Sequence, residues 1–338
     1  MILVTGGTGF LGAHVLFELL KTEEKVKALK RANSSIKLTE KIFSYYSLDA
    51  KQLLSQIEWV TADVNDISLL NEAMQDITQI YHCAAIVSFE PDQKENMFRT
   101  NVNGTANMVN IALKHAVEKF CFVSSIAAIG RTEHNDLINE ETAWKSSDRN
   151  SNYAKTKYAA EREVWRGIEE GLAAVIVNPS IILGAGDWGT GSSKIFKTLW
   201  KGNKFYTKGV NGYVDVRDVA QIMTKLMKST VVNQRFILSS ENLSYQELFT
   251  NIMMAFGKKP PSIHASKWML NIAWRVEKLK ALVFKSNPII TRETVNTSQN
   301  KYYYSSNKIR QQLSFDFMPI HQSINDTCKL FKSENSLG

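Results

Sequence analysis

Tyr153-Ala154-Lys155-Thr156-Lys157 sets a phenol and an ammonium four residues apart, the spacing that puts two side chains on one face of a helix. A free tyrosine titrates at about pH 10 and exchanges protons poorly at neutral pH. A cation one turn away favours the phenolate, so the pair predicts a tyrosine drawn toward the working range of a general acid or base. Upstream, Phe122-Val123-Ser124-Ser125 closes an apolar run, and a serine hydroxyl there can hold a carbonyl or alcohol oxygen beside the tyrosine. Near the N-terminus, Val4-Thr5-Gly6-Gly7-Thr8-Gly9-Phe10-Leu11-Gly12 reads as G-x-G-x-x-G from Gly7 and as G-x-x-G-x-x-G from Gly6. Glycine suits a turn of positive φ, a backbone approached by a pyrophosphate, and close strand–helix packing. The N–H groups of the following helix start then face the phosphate. Alone, Y-x-x-x-K is a common accident; downstream of a glycine fingerprint it is not.

These groups need elements to hold them. Short apolar runs at 2–4, 26–29, 58–61, 79–82, 120–123 and 174–177 read as strands, with helical periodicity at 10–20, 67–74, 95–115 and 153–169 between them. Alternation of this kind needs right-handed crossovers and a parallel sheet covered on both faces. The expected fold class is α/β, a doubly wound parallel sheet of the Rossmann type. In such sheets strand C-termini face the ligand crevice, which is where Ser125 falls. After Asn178-Pro179 the rhythm changes. A glycine-rich loop at 184–191 precedes helical patterns at 192–199, 214–227, 245–256, 267–284 and 319–331, with one strand at 235–238. We expect a dinucleotide-binding domain at 1–180 plus about 213–238, and a smaller, mostly helical C-terminal substrate domain at about 181–212 and 239–338.

Composition bounds the function. Of 338 residues, 44% are hydrophobic and 22% charged, which excludes global disorder and collagen-like repetition. Lys and Arg number 41 against 33 Asp and Glu, a net +8, and the excess is local. Residues 192–285 hold sixteen Lys or Arg and five Asp or Glu. No nucleic-acid motif accompanies that charge, so the expectation is no nucleic-acid partner but an anionic substrate or an acidic surface near the second domain. Cys83, Cys121 and Cys328 lack C-x-x-C spacing and read as reduced thiols. The six histidines are scattered, so no metal is expected. Met1 runs straight into the first strand with no export pattern, and no apolar run reaches about 18 residues, which predicts a cytoplasmic protein.

Which dinucleotide binds depends on the end of the second strand. An Asp or Glu there holds the ribose 2′-hydroxyl of NAD, whereas an Arg accommodates a 2′-phosphate. Here Val26-Lys27-Ala28-Leu29 runs into Lys30-Arg31, cations where the acid would stand. NADP(H) is the expected cofactor and NAD(H) the alternative.

The chain resembles an extended (atypical) short-chain dehydrogenase/reductase of the NAD-dependent epimerase/dehydratase superfamily. The branch is that of dihydroflavonol reductases and 3β-hydroxysteroid dehydrogenases. The resemblance spans nearly the whole chain, through TGGTGFLG, Asp63-Val64, His82-Cys83-Ala84-Ala85, Asn101-Val102-Asn103-Gly104-Thr105, SSIAAIG, YAKTK, NPSIILGAGD, YVDVRDVA and YYYSSNKIRQQLSF. It implies a catalytic set of Ser125, Tyr153 and Lys157, with Ser124 structural. It gives Lys157 a second role at the nicotinamide ribose and makes Asn101 its positioner. Asp63 and Val64 would border the adenine, Ala84 and Ala85 the nicotinamide side, and Pro179 the carboxamide. Arg31 matches the 2′-phosphate position of the dihydroflavonol reductase branch.

Departures inside the family narrow the reaction. Sugar dehydratases carry Thr and then Asp-Glu where this chain has Ser125-Ile126-Ala127, which supplies no acid or base for elimination. Nucleotide-sugar epimerases hold NAD and usually end the second strand in an acid; Lys30-Arg31 argues against that alternative. A non-catalytic NADP-binding regulator would not need the full catalytic set. The expected activity is NADP(H)-dependent reduction of a ketone or aldehyde, or oxidation of the matching secondary alcohol. Ile86, Phe89, Ile126, Trp188, Tyr213 and Trp268 are candidate pocket residues, and with them a bulky apolar carbonyl substrate is expected. The amphipathic stretch 267–285 reads as a lid over the substrate site or as a monotopic membrane contact. Monomer and homodimer both remain open.

Overall fold

Every apolar run read as a strand forms one. The computed structural model describes residues 1–88, 90–131, 136–147, 150–284, 295 and 298–335. The strands are β1 (Ile2–Thr5), β2 (Val26–Lys30), β3 (Ile57–Thr61), β4 (Gln79–His82), β5 (Lys119–Val123), β6 (Leu137–Ile138) and β7 (Ala174–Pro179). They continue as β8 (Ile181–Leu183), β9 (Phe205–Tyr206), β10 (Val210–Asp215), β11 (Gln234–Leu238), β12 (Glu241–Ser244), β13 (Ile263–His264) and β14 (Tyr303–Tyr304). The helices begin with α1 (Phe10–Leu19), α2 (Lys37–Tyr46), α3 (Ala50–Ser55), α4 (Ile67–Ala73), α5 (Lys94–Met97), α6 (Gly104–Lys114) and α7 (Asn152–Glu169). They end with α8 (Ser193–Trp200), α9 (Val216–Lys228), α10 (Tyr245–Ala255), α11 (Lys267–Phe284), α12 (Asn307–Leu313) and α13 (Ile320–Asn335).

Seven strands form one parallel sheet in the order β3-β2-β1-β4-β5-β7-β11. Its side chains alternate between two cores, as the period of two in a strand requires. Val4, Ala28, Tyr81, Cys121, Val175 and Phe236 face α1 and α9, whose Leu16, Ile222 and Leu226 complete that layer. Leu3, Leu29, Ile80, Phe120, Phe122 and Ile176 face α4, α6 and α7 through Leu70, Met108, Val109 and Val164. Each aliphatic side chain buried this way contributes about 2 kcal/mol.

A third core lies in the C-terminal part. Phe196 and Leu199 of α8 meet Leu248 and Ile252 of α10 and Ile324 and Phe331 of α13 there. Beside it a small sheet runs β12-β10-β8, with β10 antiparallel to β12 and parallel to β8. The chain then returns through α9 and β11 to the main sheet. The segment read as one helix over 214–227 is divided: β10 runs to Asp215, whose side chain accepts from Arg217 N and starts α9. No helix among the described residues is long and apolar enough to cross a membrane.

Candidate active site

Strand order reverses between β1 and β4, the switch point at which an open α/β sheet leaves a crevice beyond its strand C-termini. There Gly6 takes φ +71°, and a Cβ on it would lie 2.8 Å from Ala84 N. A Cβ on Gly12 would stand 2.1 Å from the Gly6 carbonyl oxygen. Gly7 packs on Leu16 of α1, and Thr8 lies half-buried in the turn. Gly9 starts α1 with no side-chain cap and no acid in the first turn. Leu11 packs into the core beneath, and the Phe10 ring abuts Gly184 and Gly186. The result is a helix N-terminus with room above its backbone, a cradle that fits a pyrophosphate.

At the outer end of the crevice lies a cavity of about 440 Å³, lined by Arg31, Asn33, Ser34, Thr61, Asp63 and Leu69 among others. Arg31 thus lines this cavity together with Asn33 and Ser34, two polar residues that sequence reasoning did not single out. Lys30, half-buried at the end of β2, is not among the lining residues. Asp63 accepts from Asn65 N and Asn65 Nδ2 at 2.9 and 2.8 Å, which shapes the turn that lines this cavity. Val64 is buried under Gly104, where a Cβ would come within 2.6 Å of Val64 Cγ2.

A buried relay fixes the loop after β4. Ala84 N donates to Thr5 Oγ1 at 3.1 Å, Thr5 Oγ1 lies 2.7 Å from His82 Nδ1, and His82 Nε2 lies 3.1 Å from Thr105 Oγ1. Thr105 Oγ1 donates to Asn101 O at 2.6 Å. Only one tautomer satisfies the chain: Thr5 donates to Nδ1, and Nε2–H donates to Thr105. Burial holds this imidazole neutral, with its pKa lowered to about 3. The relay ties Ala84 to the π-helical turn Phe98–Asn103 that carries Asn101. Asn101, expected to help position Lys157, makes its side-chain hydrogen bonds elsewhere. Its amide clasps the Ile86 backbone, Ile86 N to Oδ1 at 2.7 Å and Nδ2 to Ile86 O at 2.9 Å, and donates to Thr156 Oγ1 at 3.2 Å. Asn101 thus positions the lysine's helical neighbour and the loop after β4.

The three groups named by spacing come together on β5 and α7. Ser151 caps α7 through Ala154 N, and Tyr153 follows in its first turn. Ser125 shares a side-chain hydrogen bond with Tyr153. Lys157, one turn deeper and buried, donates to Val123 O at 2.7 Å beside the Phe122 ring. The expected depression of the tyrosine pKa is reversed. Burial raises Tyr153 to about 12, against which the Ser125 bond pulls it down. The lysine carries the depression instead, lowered to about 8 by burial, which Cys83 and Glu161 oppose. Tyr153 therefore stands as a protonated donor at neutral pH.

Glu161, a second turn below Lys157, escaped sequence reading. Its carboxylate accepts from Ser124 Oγ at 2.6 Å, Asn178 Nδ2 at 2.8 Å and Arg235 Nη1 at 3.1 Å. Asn178 Nδ2 also donates to Ser125 O at 3.1 Å, so Glu161 clamps the end of β5 from which Ser125 projects. Ser124 belongs to this clamp and Ser125 to the tyrosine. An acid four residues after Lys157 was the available signal. Pro179 is buried at the end of β7, paired with Leu238 of β11.

The six pocket candidates divide. Ile126 follows Ser125 in a buried cluster with Ile129, Ile138 and Ile237, and Ile86 sits in the loop held by Asn101. Trp188 and Tyr213 are instead buried in the C-terminal core, Trp188 with its ring on Phe331 and its Nε1 donating to Glu334 at 2.9 Å. Trp268 is exposed on α11, and Phe89 lies outside the described residues.

Residues 4–228 match an NAD-binding family described as male sterility protein. A putative dihydroflavonol 4-reductase from Synechocystis sp. is 31% identical, over 98% of this chain and 94% of that protein. Among solved structures, that of gox2253 superposes with a TM-score of 0.80 at 29% identity, covering 99% of this chain and 98% of the other. The UDP-glucose 4-epimerase of Thermus thermophilus, solved with NAD, shares the fold at a TM-score of 0.74 and 20% identity over 98% of each chain.

Proposed function

The chain belongs to the extended short-chain dehydrogenases/reductases, and we propose that it reduces a ketone or aldehyde with NADPH, or oxidises the matching secondary alcohol with NADP⁺. The observation that carries this reading is the hydrogen bond between Ser125 and Tyr153, with the buried Lys157 one helical turn further along α7, at the C-terminal edge of the sheet. Gly6, Gly9 and Gly12 would take the pyrophosphate, Arg31 the 2′-phosphate, and Ala84, Ala85 and Pro179 the nicotinamide end. When bound, the dinucleotide supplies or accepts the hydride.

The chain's own residues manage the proton. Burial keeps the Tyr153 phenol protonated, so it is ready to donate to an oxygen that gains negative charge. Ser125 Oγ orients that oxygen toward the phenol. Lys157 supplies the positive charge that lowers the cost of the transient phenolate. Arg31 at the outer cavity supports NADP(H) over NAD(H), and similarity to a putative dihydroflavonol 4-reductase supports reduction of a carbonyl. Ile86 and Ile126 beside the triad favour an apolar carbonyl compound.

NADPH oxidation across aromatic ketones, steroid ketones, aldehydes and sugar nucleotides tests the reading. With any active substrate, Tyr153→Phe is expected to lower kcat by about 100-fold or more and to leave NADPH affinity within about threefold. Turnover at the wild-type rate in that variant would overturn the assignment.

A further inference from the structure

Away from the crevice, β9 and β13 form a two-stranded parallel ribbon in which Phe205 and Ile263 are register partners, and both are exposed. Partners in a parallel pair present their side chains to the same face. Three residues after His264 the chain enters α11. From Lys267 to Val276 one side of that helix is half-buried, through Met269, Leu270, Ala273 and Trp274, and the other is exposed. Trp268, Ile272 and Val276 are 66%, 52% and 47% exposed. Their spacing of four stacks them as one apolar stripe along the helix.

The charge near this stripe is mainly positive, with Glu277 directly after Val276 the exception. Residues 194–208 and 258–276 contain nine Lys or Arg and no Asp or Glu: Lys194, Lys197, Lys201, Lys204, Lys208, Lys258, Lys259, Lys267 and Arg275. Lys204 O accepts from Ile263 N at 2.8 Å, so the cations of one segment adjoin the exposed apolar pair of the other. An uncovered apolar surface of this kind marks an interaction site. Its combination with a dense cationic border and a tryptophan fits the headgroup layer of a bilayer.

We propose that the β9–β13 ribbon and α11 dock this protein on an anionic phospholipid surface. Trp268, Ile272, Val276, Phe205 and Ile263 enter the headgroup–acyl boundary, and the lysines pair with lipid phosphates. The attachment is peripheral and reversible. The cations near the surface add to the attraction, and salt screens that part within a Debye length of about 8–10 Å.

Co-sedimentation of the full chain with phosphatidylglycerol–phosphatidylcholine vesicles, against pure phosphatidylcholine vesicles, tests this. Binding is expected with the anionic vesicles and about tenfold weaker without phosphatidylglycerol. It should fall at least about fivefold from 50 to 500 mM salt. Phe205→Glu with Ile272→Glu removes binding and leaves the thermal unfolding transition and NADPH affinity unchanged. No binding to anionic vesicles overturns the proposal, as does equal binding by the double variant. Self-association of the wild type that the double variant abolishes, with no vesicle binding, would assign the face to a second copy and also overturn it.

Discussion

Two glycine-rich loops border the same crevice, and they use glycine for opposite ends. In the loop at 6–12 the glycines clear backbone from backbone, Gly6 from Ala84 and Gly12 from the Gly6 carbonyl, and the helix start is left without a side-chain cap. In the loop at 184–191 the polar groups are satisfied internally. Asp187 accepts from Gly189 N at 2.8 Å and Thr190 Oγ1 at 3.0 Å, and Ser193 Oγ donates to Gly184 O at 3.1 Å. Gly184 and Gly186 meet side chains, Val216 and the Phe10 ring. The first loop bonds Gly9 N to the Gly6 carbonyl and still leaves its helix start without a side-chain cap; the second is a spacer that seats Phe10. Glycine content does not distinguish them, whereas what the glycines clear does: backbone in the first loop, side chains in the second.

Gly12→Ala gives the sharpest test. Its Cβ has no flexible neighbour to displace, only the Gly6 carbonyl. NADPH affinity, followed by fluorescence titration, is expected to fall by about 100-fold or more, at least about 3 kcal/mol. Gly9→Ala, with 3.2 Å to the same oxygen, should fall short of that loss. Equal affinities in Gly12→Ala and wild type would break the contrast between the loops. Arg31→Ala extends the comparison to the outer cavity. It should weaken NADPH by about 10–100-fold, the worth of a charge-assisted phosphate pair, and leave NADH within about twofold. Equal losses for both dinucleotides would remove the 2′-phosphate reading.

Lys157 carries the same distinction to the proton chemistry. With its pKa lowered to about 8, it is an ammonium at pH 7 and loses its charge as pH rises through 8. Turnover in the reducing direction is expected to decline above about pH 8, with Tyr153 still protonated. Glu161 opposes that lowering, so Glu161→Gln should move the decline to lower pH, on the order of half a unit. A profile flat to pH 10 in both proteins would separate Lys157 from the rate.

The strands, the glycine turn and the shared helix of Tyr153 and Lys157 were legible because their signals are local: apolar runs bounded by polar residues, a glycine fingerprint, and a spacing of four. What escaped was either weakly patterned or distant in sequence. The segment 37–55 forms α2 and α3, yet α2 buries only Thr39, Ile42 and Phe43 and α3 buries none, so little apolar periodicity marks them. Asp215 starts α9, but the sequence reading began the helix at Val214 because the apolar residues before Asp215 blend with those of α9. The partners of Glu161 lie 17, 37 and 74 residues away, and His82 reaches Thr5 across 77. No spacing rule links such groups before the sheet is assembled. Trp188 and Tyr213 were placed near substrate because aromatic type alone does not tell a pocket wall from a core. The structure moves both into packing.

The smallest effects belong to the second loop. Asp187 accepts from Gly189 N and Thr190 Oγ1 at the surface of a turn, so Asp187→Ala removes two exposed hydrogen bonds and leaves no buried group unpaired. A loss of about 1 kcal/mol in thermal unfolding is expected, with NADPH affinity unchanged. Gly189→Ala should do less, because its Cβ meets only the Asp187 side chain at 3.2 Å and the backbone there has no positive φ. A shift within about 0.5 kcal/mol is expected. If either change weakened NADPH as Gly12→Ala does, the 184–191 loop would be part of the cofactor site and the division between the loops would fail. If both leave affinity intact while Gly12→Ala abolishes it, the glycines of the two loops differ in kind: one set lets backbone segments close on each other at the helix start, and the other makes room for Val216 and the Phe10 ring.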